Sequence, residues 1–541
     1  MSATSPSNQY DAIIIGAGHN GLVTATYLAK AGLKAIVLEA NEQTGGAAAT
    51  REFAPGYRVS PVAHLLHALH PKVDGDLHLK RHGLRAALRR LGTSALLPNG
   101  GRIDITPDRA ATAVAIAHVS PADGDTYAAV MARLTRLAGA LGGFLMKTPP
   151  SPMLPANDLA TKVSLGLFAL QLRMMGRKDM LELTRILTMN VADLASDFFE
   201  SDAIKGLLTF DATLGVYLGP RSPNTVFNLL YRLSSFGRHG MGAYHLPMGG
   251  MGAVAEALAK AAKAAGVEIR TNAKVDRLLI ESDTAVGVVL ANGDEVRAPI
   301  VASSADPQAT LLKLVPPGNL DTQFLKRIRH LRMNGCVAKV HLALDGLPES
   351  WAKSPARMVV APSVDHVERA FDCAKYGRVA DRPALEIVIP SLGDPSLAPE
   401  GKHVASILFQ YAPYKLRDTT NDEARKQVGE RTLALLADYA PDLAARVTAQ
   451  EVLTPQDIES QFGMSGGQWH HGEVTLDQMF FLRPAGQFQR YRMPIPGLWL
   501  CGAGAHPGGN LSGAPGANAA REILKDRRRQ PQRASAQRAA S

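Results

Sequence analysis

The feature that most constrains this chain is a strand–turn–helix–strand unit within residues 11–39. The apolar run Ile13-Ile14-Ile15 predicts a strand buried on both faces, and Gly16, Gly18 and Gly21 then mark a turn into a helix. In such a turn the first glycine permits the tight bend, and the second lets a pyrophosphate approach the backbone. The third lets the helix lie close to the strand, with its N–H groups facing the phosphates.

An acidic residue completes this unit. The predicted second strand, Ala35–Leu38, ends at Glu39, where a carboxylate can accept hydrogen bonds from both hydroxyls of a ribose. A glycine motif alone is weak evidence and also fits an ordinary turn in an α/β sheet. Here the strand before it, the amphipathic helix after it and the acid about 20 residues further on supply the context that the motif requires. The sequence therefore predicts a dinucleotide-binding site.

Composition places this site in a multidomain protein. The 541 residues are enough for about two to four domain-sized units, and a hydrophobic content of 46% can fill their cores. Three widely spaced cysteines, Cys336, Cys373 and Cys501, are typical of a reducing compartment and argue against disulfide or zinc frameworks. Without an N-terminal apolar segment or a run long enough to span a bilayer, the predicted location is cytoplasmic.

The net charge of +10 could suggest a nucleic-acid partner. Much of the excess, however, lies in the basic run from Lys525 to the C-terminus. Terminal runs of this kind are usually solvated ends and not binding surfaces. We therefore predict a disordered basic tail over residues 527–541 and no nucleic-acid partner.

Three histidines follow the first unit at intervals of three residues: His64, His67 and His70. On a helix they would share one face. Satisfied interior imidazoles are the preferred interpretation and a metal site is the alternative, because no carboxylate with matching spacing lies nearby.

Residues 121–238 are predicted to be mainly helical and to form a cap. Within them, Val163–Met175 is strongly apolar and is flanked by Lys162, Arg173, Arg177 and Lys178. The segment is too short to span a membrane. It predicts a buried helix, with a helix lying on a membrane surface as the alternative.

Further strands predict a mixed sheet beside the nucleotide site. Asn292-Gly293 suggests a hairpin between Ala285–Leu290 and Glu295–Ala302. The other predicted elements are strands at Val267–Arg270, Lys274–Ile280, Val337–Leu344, Leu385–Ile389 and His403–Tyr411, and a helix near Glu423–Tyr439. A mixed sheet with helices suggests the wall of a substrate cavity.

The last informative stretch is a short apolar strand that leads into the glycine-dense segment 502–516. A helix is predicted to begin near Gly513. Free N–H groups at its start could face anionic or electron-rich atoms, as in the first glycine turn.

Together these motifs resemble the phytoene-desaturase-like and amine-oxidase-like FAD flavoproteins. The resemblance is carried by the first glycine motif, Glu39, Gly45-Gly46 and Gly502-x-Gly504-x-His506-Pro-Gly-Gly. It extends over most of the chain, and within the superfamily it is closest to the branch named for pyridine nucleotide-disulphide oxidoreductase domain-containing protein two. These motifs are specific for the superfamily and much less so for a substrate.

The resemblance implies an α/β fold: a Rossmann-type, glutathione-reductase-like FAD-binding domain with an inserted α+β substrate domain. The implied FAD-binding domain combines residues 1–85, 240–306 and 490–526, and the implied cap combines 86–239 and 307–489. The implied contacts of the non-covalent FAD are Gly16, Ala17, Gly18, His19, Asn20, Gly21, Glu39, Ala40, Gly45, Gly46, Ala47, Val275, Gly502, Ala503, Gly504, Gly513, Ala514 and Gly516.

The implied activity is dehydrogenation or desaturation of a fairly apolar small molecule, with an electron acceptor that the sequence does not identify. Many relatives carry Arg or Lys after the glycine pair, whereas this chain has Ala47. The loss of that cation makes amine oxidation the less favoured alternative. A non-catalytic escort protein of the same fold is a third alternative, which the intact glycine motifs at both ends argue against.

Histidines are the candidate catalytic residues. His506 lies in the motif expected beside the flavin, and His470 and His471 are the other candidates for acid–base chemistry. Packing or hydrogen bonding is the alternative role for each. Trp469 and His64 are further candidates for a role in the reaction. His470 or His471 could instead form the cavity wall, as could Tyr217 or Tyr244.

Overall fold

The computed structural model describes residues 10–149, 159–235, 244–352, 357–486 and 490–540. Its strands are β1 (Ala12–Ile15), β2 (Ala35–Leu38), β3 (Arg51–Ala54), β4 (Tyr57–Val59), β5 (Ala86–Leu91), β6 (Thr93–Leu96), β7 (Arg102–Ile105), β8 (Tyr244–Pro247), β9 (Glu268–Arg270), β10 (Val275–Glu281), β11 (Thr284–Leu290), β12 (Glu295–Arg297), β13 (Ile300–Ser303), β14 (Val337–Leu344), β15 (Arg357–Val360), β16 (Ala384–Val388), β17 (His403–Gln410), β18 (Val447–Leu453) and β19 (Leu498–Leu500).

The α-helices are α1 (His19–Lys30), α2 (Pro71–Leu77), α3 (Arg109–Ala117), α4 (Pro121–Leu145), α5 (Leu159–Met174), α6 (Arg177–Leu187), α7 (Val191–Phe198), α8 (Asp202–Thr213), α9 (Thr225–Ser235), α10 (Gly252–Ala264), α11 (Thr322–Arg329), α12 (Val364–Lys375), α13 (Asn421–Leu436), α14 (Pro455–Phe462) and α15 (Ala514–Ala540).

A five-stranded parallel sheet in the order β19-β13-β1-β2-β9 organises one half of the molecule. Its strands come from three separate parts of the chain. In the central strand, Ile14 is paired with Ala302 on one side and with Val37 on the other. All four residues of β1 are buried, as expected for a parallel strand covered on both faces. A core that includes side chains of α1, α10 and α15 surrounds this sheet.

The predicted hairpin beside this sheet is only partly correct. Strands β10, β11 and β12 form an antiparallel sheet, but β12 ends at Arg297. The prediction of one strand over Glu295–Ala302 is wrong, because Pro299 interrupts it. Proline has no N–H to donate to a strand ladder, so the chain leaves the hairpin there. The next strand, β13, joins the parallel sheet instead.

A seven-stranded mixed sheet in the order β18-β14-β17-β16-β15-β6-β7 organises the other half. The strand predicted at Val337–Leu344 is confirmed as β14, and all eight of its residues are buried. The sheet and the helices α4, α8 and α9 enclose a second hydrophobic core. The molecule therefore has a parallel-sheet half and a mixed-sheet half, each with its own core.

The prediction of a buried helix near Val163 is wrong. The segment does form a helix, α5, but its side chains Val163, Leu167 and Leu170 are 53%, 58% and 51% exposed. Near its end, Leu172 and Met175 pack partly against the core. Apolar composition predicted burial, but no other described element covers this face. Among the described residues, no helix is both long and apolar enough to cross a bilayer.

Helix α15 continues through residues 527–540, for which the sequence predicts a disordered basic tail. This segment is rich in alanine, arginine and glutamine, which have high helix propensity. Arg527, Arg528 and Arg529 are exposed, so this part of the helix is solvated.

Candidate active site

A cavity of about 670 Å³ lies at the carboxyl end of the parallel sheet. Ile15 and Leu38, the last residues of β1 and β2, line it together with Ser304, which follows β13. In open parallel sheets, ligands bind at this edge because the loops that leave adjacent strands there enclose a crevice.

The first glycine turn forms one wall of this cavity. Gly18 lines it with φ of −66°, and a Cβ atom added there would meet nothing within 4 Å. Gly16 has φ of +91°, and a Cβ at Gly21 would lie 2.2 Å from the Gly16 carbonyl oxygen. Thus the turn needs its first glycine for backbone conformation, and its third for helix–strand contact. The second leaves open space for a ligand.

Glu39 holds the same turn from the end of β2. One carboxylate oxygen accepts a hydrogen bond of 2.6 Å from Ala17 N–H, and the other accepts one of 3.0 Å from Asn41 N–H. The residue is 6% exposed and lines the cavity. Because each carboxylate oxygen has a second lone pair, Glu39 can also accept hydrogen bonds from a ligand.

The glycine pair after the acid forms a second wall. Gly45 bridges to Gly18 and donates a hydrogen bond of 3.0 Å to the Ala17 carbonyl. Gly46 and Ala47 line the cavity beside it. Ala40 and Val275 also line the cavity, so the predicted adenosine-side contacts converge there.

Both the shape of the cavity and the unpaired polar atoms of its lining fit FAD. His19 Nε2 and Asn20 Oδ1 are buried at the start of α1 and have no hydrogen-bond partner among the described residues. Both residues line the cavity, where a ligand can reach them. Burial lowers the pKa of His19 to about 4, so its ring is neutral at neutral pH.

The C-terminal glycine segment contributes differently. Of its predicted contacts, Ala503 lines the cavity, accompanied by Asn510 and Leu511. A Cβ at Gly502 would lie 2.2 Å from the Ser304 carbonyl oxygen, and one at Gly504 would lie 2.3 Å from Pro307. These two glycines permit close packing behind the loop that carries Ala503.

The start of α15 is packed in the same way. A Cβ at Gly516 would lie 2.3 Å from the Asn20 carbonyl oxygen, and one at Gly513 would lie 3.0 Å from Val73. Neither glycine is part of the described lining of the 670 Å³ cavity, and Ala514 lines a different cavity. Gly513 and Gly516 therefore permit close packing at the start of α15, and their contact with the cofactor stays a prediction.

The three predicted catalytic histidines separate into two groups. His470 and His471 line the cavity. His506 is buried outside the described lining of both cavities, and its backbone carbonyl accepts a hydrogen bond of 2.9 Å from the Tyr491 hydroxyl. This position does not place His506 beside the reaction cavity.

Two more glycines make room for the cavity wall: Gly509 of the C-terminal glycine segment, and Gly215, which the sequence analysis did not name. A Cβ at Gly509 would lie 2.0 Å from His470 Nδ1, and one at Gly215 would lie 2.5 Å from the Trp469 ring. The two aromatic rings meet edge to face with their centroids 5.9 Å apart. Burial, with the nearby Arg483 cation, lowers the pKa of His470 to about 3, so this wall is uncharged.

A buried charged network that the sequence analysis missed reaches the cavity through Arg232 and Glu386. Arg357 donates a hydrogen bond of 2.5 Å to Asp211 and another to Glu386, and all three side chains are 0–2% exposed. Arg232 lies 3.4 Å from Asp211, and it lines the cavity with Glu386. Polar side chains of this kind, spread over distant elements, leave no local motif.

His64 connects this network to the cavity. Lys339 donates a hydrogen bond of 3.0 Å to His64 Nδ1. The ring proton of His64 therefore lies on Nε2, which donates a hydrogen bond of 2.6 Å to Glu386. Burial lowers the pKa of Lys339 to about 7 and that of His64 to about 4. A lysine within the apolar segment Val337–Leu344 was the available sequence signal for this network.

The other histidines of the early triplet serve separate purposes. They do not lie on a helix: His67 lines the cavity, and His70 caps α2 by accepting a hydrogen bond of 3.1 Å from Lys72 N–H. Among the described residues, no cluster of three or more potential ligands is arranged to hold a metal ion. Tyr244 lines the cavity, whereas the Tyr217 hydroxyl donates to the Ala374 carbonyl at 2.9 Å.

A second cavity, of about 1040 Å³, adjoins the first. His67 and Asn510 line both, which places the two cavities side by side. Arg85 and Arg136 are among the side chains that line the second cavity.

Comparison with known proteins agrees with this arrangement. The model of the flavin containing amine oxidoreductase family matches residues 21–524. Pyridine nucleotide-disulfide oxidoreductase domain-containing protein 2 of Rattus norvegicus is 35% identical, over 96% of this chain and 94% of its own. The predicted superfamily and branch are confirmed.

Two further proteins are more distant. A neurosporene-forming phytoene desaturase of Cereibacter sphaeroides is 24% identical, over 97% of this chain and 96% of its own. The structure of cyclohexylamine oxidase from Brevibacterium oxydans superposes with a TM-score of 0.55 at 15% identity, over 96% of this chain and 98% of that one. The shared architecture confirms the predicted α/β fold with a Rossmann-type FAD-binding domain.

Proposed function

Because this chain belongs to the flavin containing amine oxidoreductase family, it is an FAD-dependent oxidoreductase, and we propose that it dehydrogenates a fairly apolar small molecule. When bound, FAD supplies the acceptor for a hydride equivalent at N5. The residues of the first glycine turn, Glu39, Gly45-Gly46 and Val275 are the proposed contacts for its adenosine and pyrophosphate portions.

The observation that carries this proposal is the composition of the cavity lining outside the glycine turn. Leu65, Leu214, Leu408 and Trp469 supply apolar surface there. The imidazoles beside them are uncharged, since burial lowers the pKa of His67 and of His470 to about 3. An apolar substrate loses little solvation in such a site, whereas an ion would lose much.

The buried network argues further against a cationic amine. It contains three basic side chains, Arg232, Arg357 and Lys339, and two carboxylates, Asp211 and Glu386. Its net charge is zero with Lys339 neutral and +1 with Lys339 protonated, and burial lowers the pKa of Lys339 to about 7. In neither state does the network offer a substrate ammonium the net negative charge that would stabilise it away from water. The phytoene desaturase among the relatives is named for an apolar isoprenoid, which supports the same substrate class.

We assign His470 to substrate orientation and His471 to proton acceptance. Both line the cavity. His470 Nδ1 packs against Gly509, whereas His471 Nδ1 is buried and lacks a hydrogen-bond partner among the described residues. Burial lowers the pKa of each ring and keeps it neutral. A neutral imidazole can accept the proton that leaves together with the hydride equivalent. Trp469 holds the substrate by packing and excludes water.

The test is anaerobic reduction of the bound flavin by a panel of terpenoids, amines and hydroxylated aromatics. We expect bleaching of the flavin absorbance by a terpenoid and not by the amines. The His471→Ala variant should slow bleaching, and His330→Ala, at an exposed position on the surface, should not. Bleaching by amines alone would contradict the proposal. Peroxide formation during aerobic turnover would identify dioxygen as the electron acceptor.

A further inference from the structure

An exposed apolar surface on helices α5 and α6 is not explained by the reaction. Val163, Leu167, Leu170 and Met174 are spaced four, three and four residues apart, so they lie along one face of α5. Their exposed fractions are 53%, 58%, 51% and 77%. On α6, Leu181 is 57% exposed. We name these five side chains the docking face.

Contiguous apolar exposure of this kind marks a surface that another body covers. Single exposed apolar residues are common, but five on two consecutive helices form a stripe. Near the end of α5, Leu172 and Met175 pack partly against the core. The exposed side chains Val163, Leu167, Leu170 and Met174 are accessible to a partner.

Charge around the docking face identifies the partner. Lys162, Arg173, Arg177 and Lys178 are exposed on the same two helices. An apolar helical face flanked by cations is the pattern of a helix that lies in the interface of an anionic bilayer.

The acidic residues of α6 do not cancel this positive charge. Asp179 is ion-paired with Arg136 at 2.7 Å, and Glu182 with Arg185 at 3.0 Å. Their negative charges are therefore neutralised by other cations, and the cations beside the docking face keep their charge. A protein partner with an apolar face would need a matching acidic rim, whereas an anionic lipid surface supplies one throughout.

We propose that the docking face binds the surface of an anionic membrane, with its apolar side chains inserted at the level of the headgroups and the flanking cations on lipid phosphates. The docking does not depend on the reaction proposed above.

The position of the second cavity suggests what the docking face is for, which is entry of an apolar substrate. Arg136, which lines that cavity, donates a hydrogen bond of 2.7 Å to Asp179 at the start of α6. The same cavity adjoins the first through His67 and Asn510. An apolar substrate dissolved in a bilayer would thus have a short path from the docking face to the reaction cavity.

Vesicle flotation of the full-length flavoprotein tests the proposal. We expect the wild type to float with vesicles of phosphatidylcholine mixed with phosphatidylserine, and less with phosphatidylcholine alone or at high salt. The double substitution Leu167→Gln and Leu170→Gln should reduce the bound fraction about tenfold, because apolar insertion is lost. Tyr376→Gln is the matched control, since this side chain is 59% exposed at the end of α12, outside the docking face.

Charge is tested separately with Arg177→Glu and Lys178→Glu. Each substitution should weaken binding to the mixed vesicles by about fivefold or more, since one surface cation contributes about that factor. Flavin absorbance and circular dichroism of each variant check that it is folded and loaded.

Three results would overturn the proposal. One is wild-type protein that does not float with the mixed vesicles. Another is equal flotation of the leucine double variant and the wild type. The third is a wild-type dimer in analytical ultracentrifugation that the leucine double variant converts to a monomer, because the docking face would then be covered by a second copy of the chain.

Discussion

The two glycine-rich segments of this protein are similar in sequence but have different roles in the structure. Around the first turn, Gly18 opens onto the cavity, and a Cβ there would meet nothing within 4 Å. In the C-terminal segment, Cβ atoms at Gly502 and Gly516 would each lie within 2.3 Å of a backbone oxygen. Glycine density alone therefore does not identify a ligand surface. The atoms that face each glycine decide its role.

The two segments are also held by opposite charges. The carboxylate of Glu39 accepts hydrogen bonds from the backbone N–H groups of Ala17 and Asn41. The guanidinium of Arg483 donates to the carbonyls of Ala503 at 2.9 Å and of Gly472 at 3.2 Å. Burial lowers the pKa of Arg483 to about 10, which leaves it cationic at neutral pH. The anionic side chain thus pairs with backbone N–H groups, and the cationic side chain pairs with backbone carbonyl groups.

The largest effect in this comparison is expected for Glu39→Ala. It removes two hydrogen bonds to a buried carboxylate, and hydrogen bonds to charged groups contribute about 1.5–3 kcal/mol each. We expect a loss of about 3 kcal/mol in the free energy of unfolding and a purified protein paler than wild type. Denaturant unfolding and flavin absorbance after gel filtration measure both. The exposed Glu42→Ala is the control, and full flavin occupancy in Glu39→Ala would refute the assignment.

The next effect is expected for Gly516→Ala. Its new methyl group would lie 2.3 Å from the Asn20 carbonyl oxygen, so α1 and α15 must separate. Overpacking costs about 1–3 kcal/mol and outweighs the gain of about 1 kcal/mol from the better helix propensity of alanine. We expect a net loss of up to about 2 kcal/mol in unfolding free energy. A variant as stable as wild type but pale would instead place Gly516 at the cofactor.

The same substitution at Gly18 should give the reverse result. Its φ of −66° suits alanine, and its Cβ would have free space, so unfolding free energy should change by less than about 0.5 kcal/mol. The methyl group would project where the pyrophosphate approaches, and FAD affinity should fall about tenfold, or about 1.4 kcal/mol. Titration of the apoprotein with FAD measures this. Unchanged affinity would show that the turn does not face the phosphates.

The smallest effect is expected at the far end of α15. Removal of residues 527–541 breaks an exposed ion pair, in which Arg527 lies 3.7 Å from Asp11. Exposed pairs contribute at most about 1 kcal/mol, and usually less. Thermal unfolding, flavin content and turnover should therefore stay close to wild type. A marked loss of flavin would mean that the terminal turns of α15 support its first turn.

Much of the architecture was predictable from local patterns. The strand at Ala35–Leu38 and the strand at Val337–Leu344 have the predicted bounds, because apolar runs of this length have few alternatives to a buried strand. The roles of Gly16 and Gly21 also follow from sequence, since a strand, a tight turn and a helix constrain one another within a few residues.

Other features depended on contacts between distant residues. His506 lies in the expected motif, yet His470 lines the cavity and His506 does not. The buried Lys339 contacts His64 across 275 positions of sequence, and no local pattern encodes that contact. The exposed face of α5 was predicted to be buried because its composition is apolar, and only the positions of the neighbouring elements showed otherwise.

By itself, then, the sequence determined the dinucleotide turn, the acid that follows it and the family to which the chain belongs. Those features rest on backbone conformation and short-range spacing, which the order of residues specifies directly. The tertiary structure decided which glycines face a ligand, which histidines line the cavity and where apolar surface stays exposed. These outcomes depend on which distant atoms lie within a few ångströms, and packing of the whole chain sets those distances.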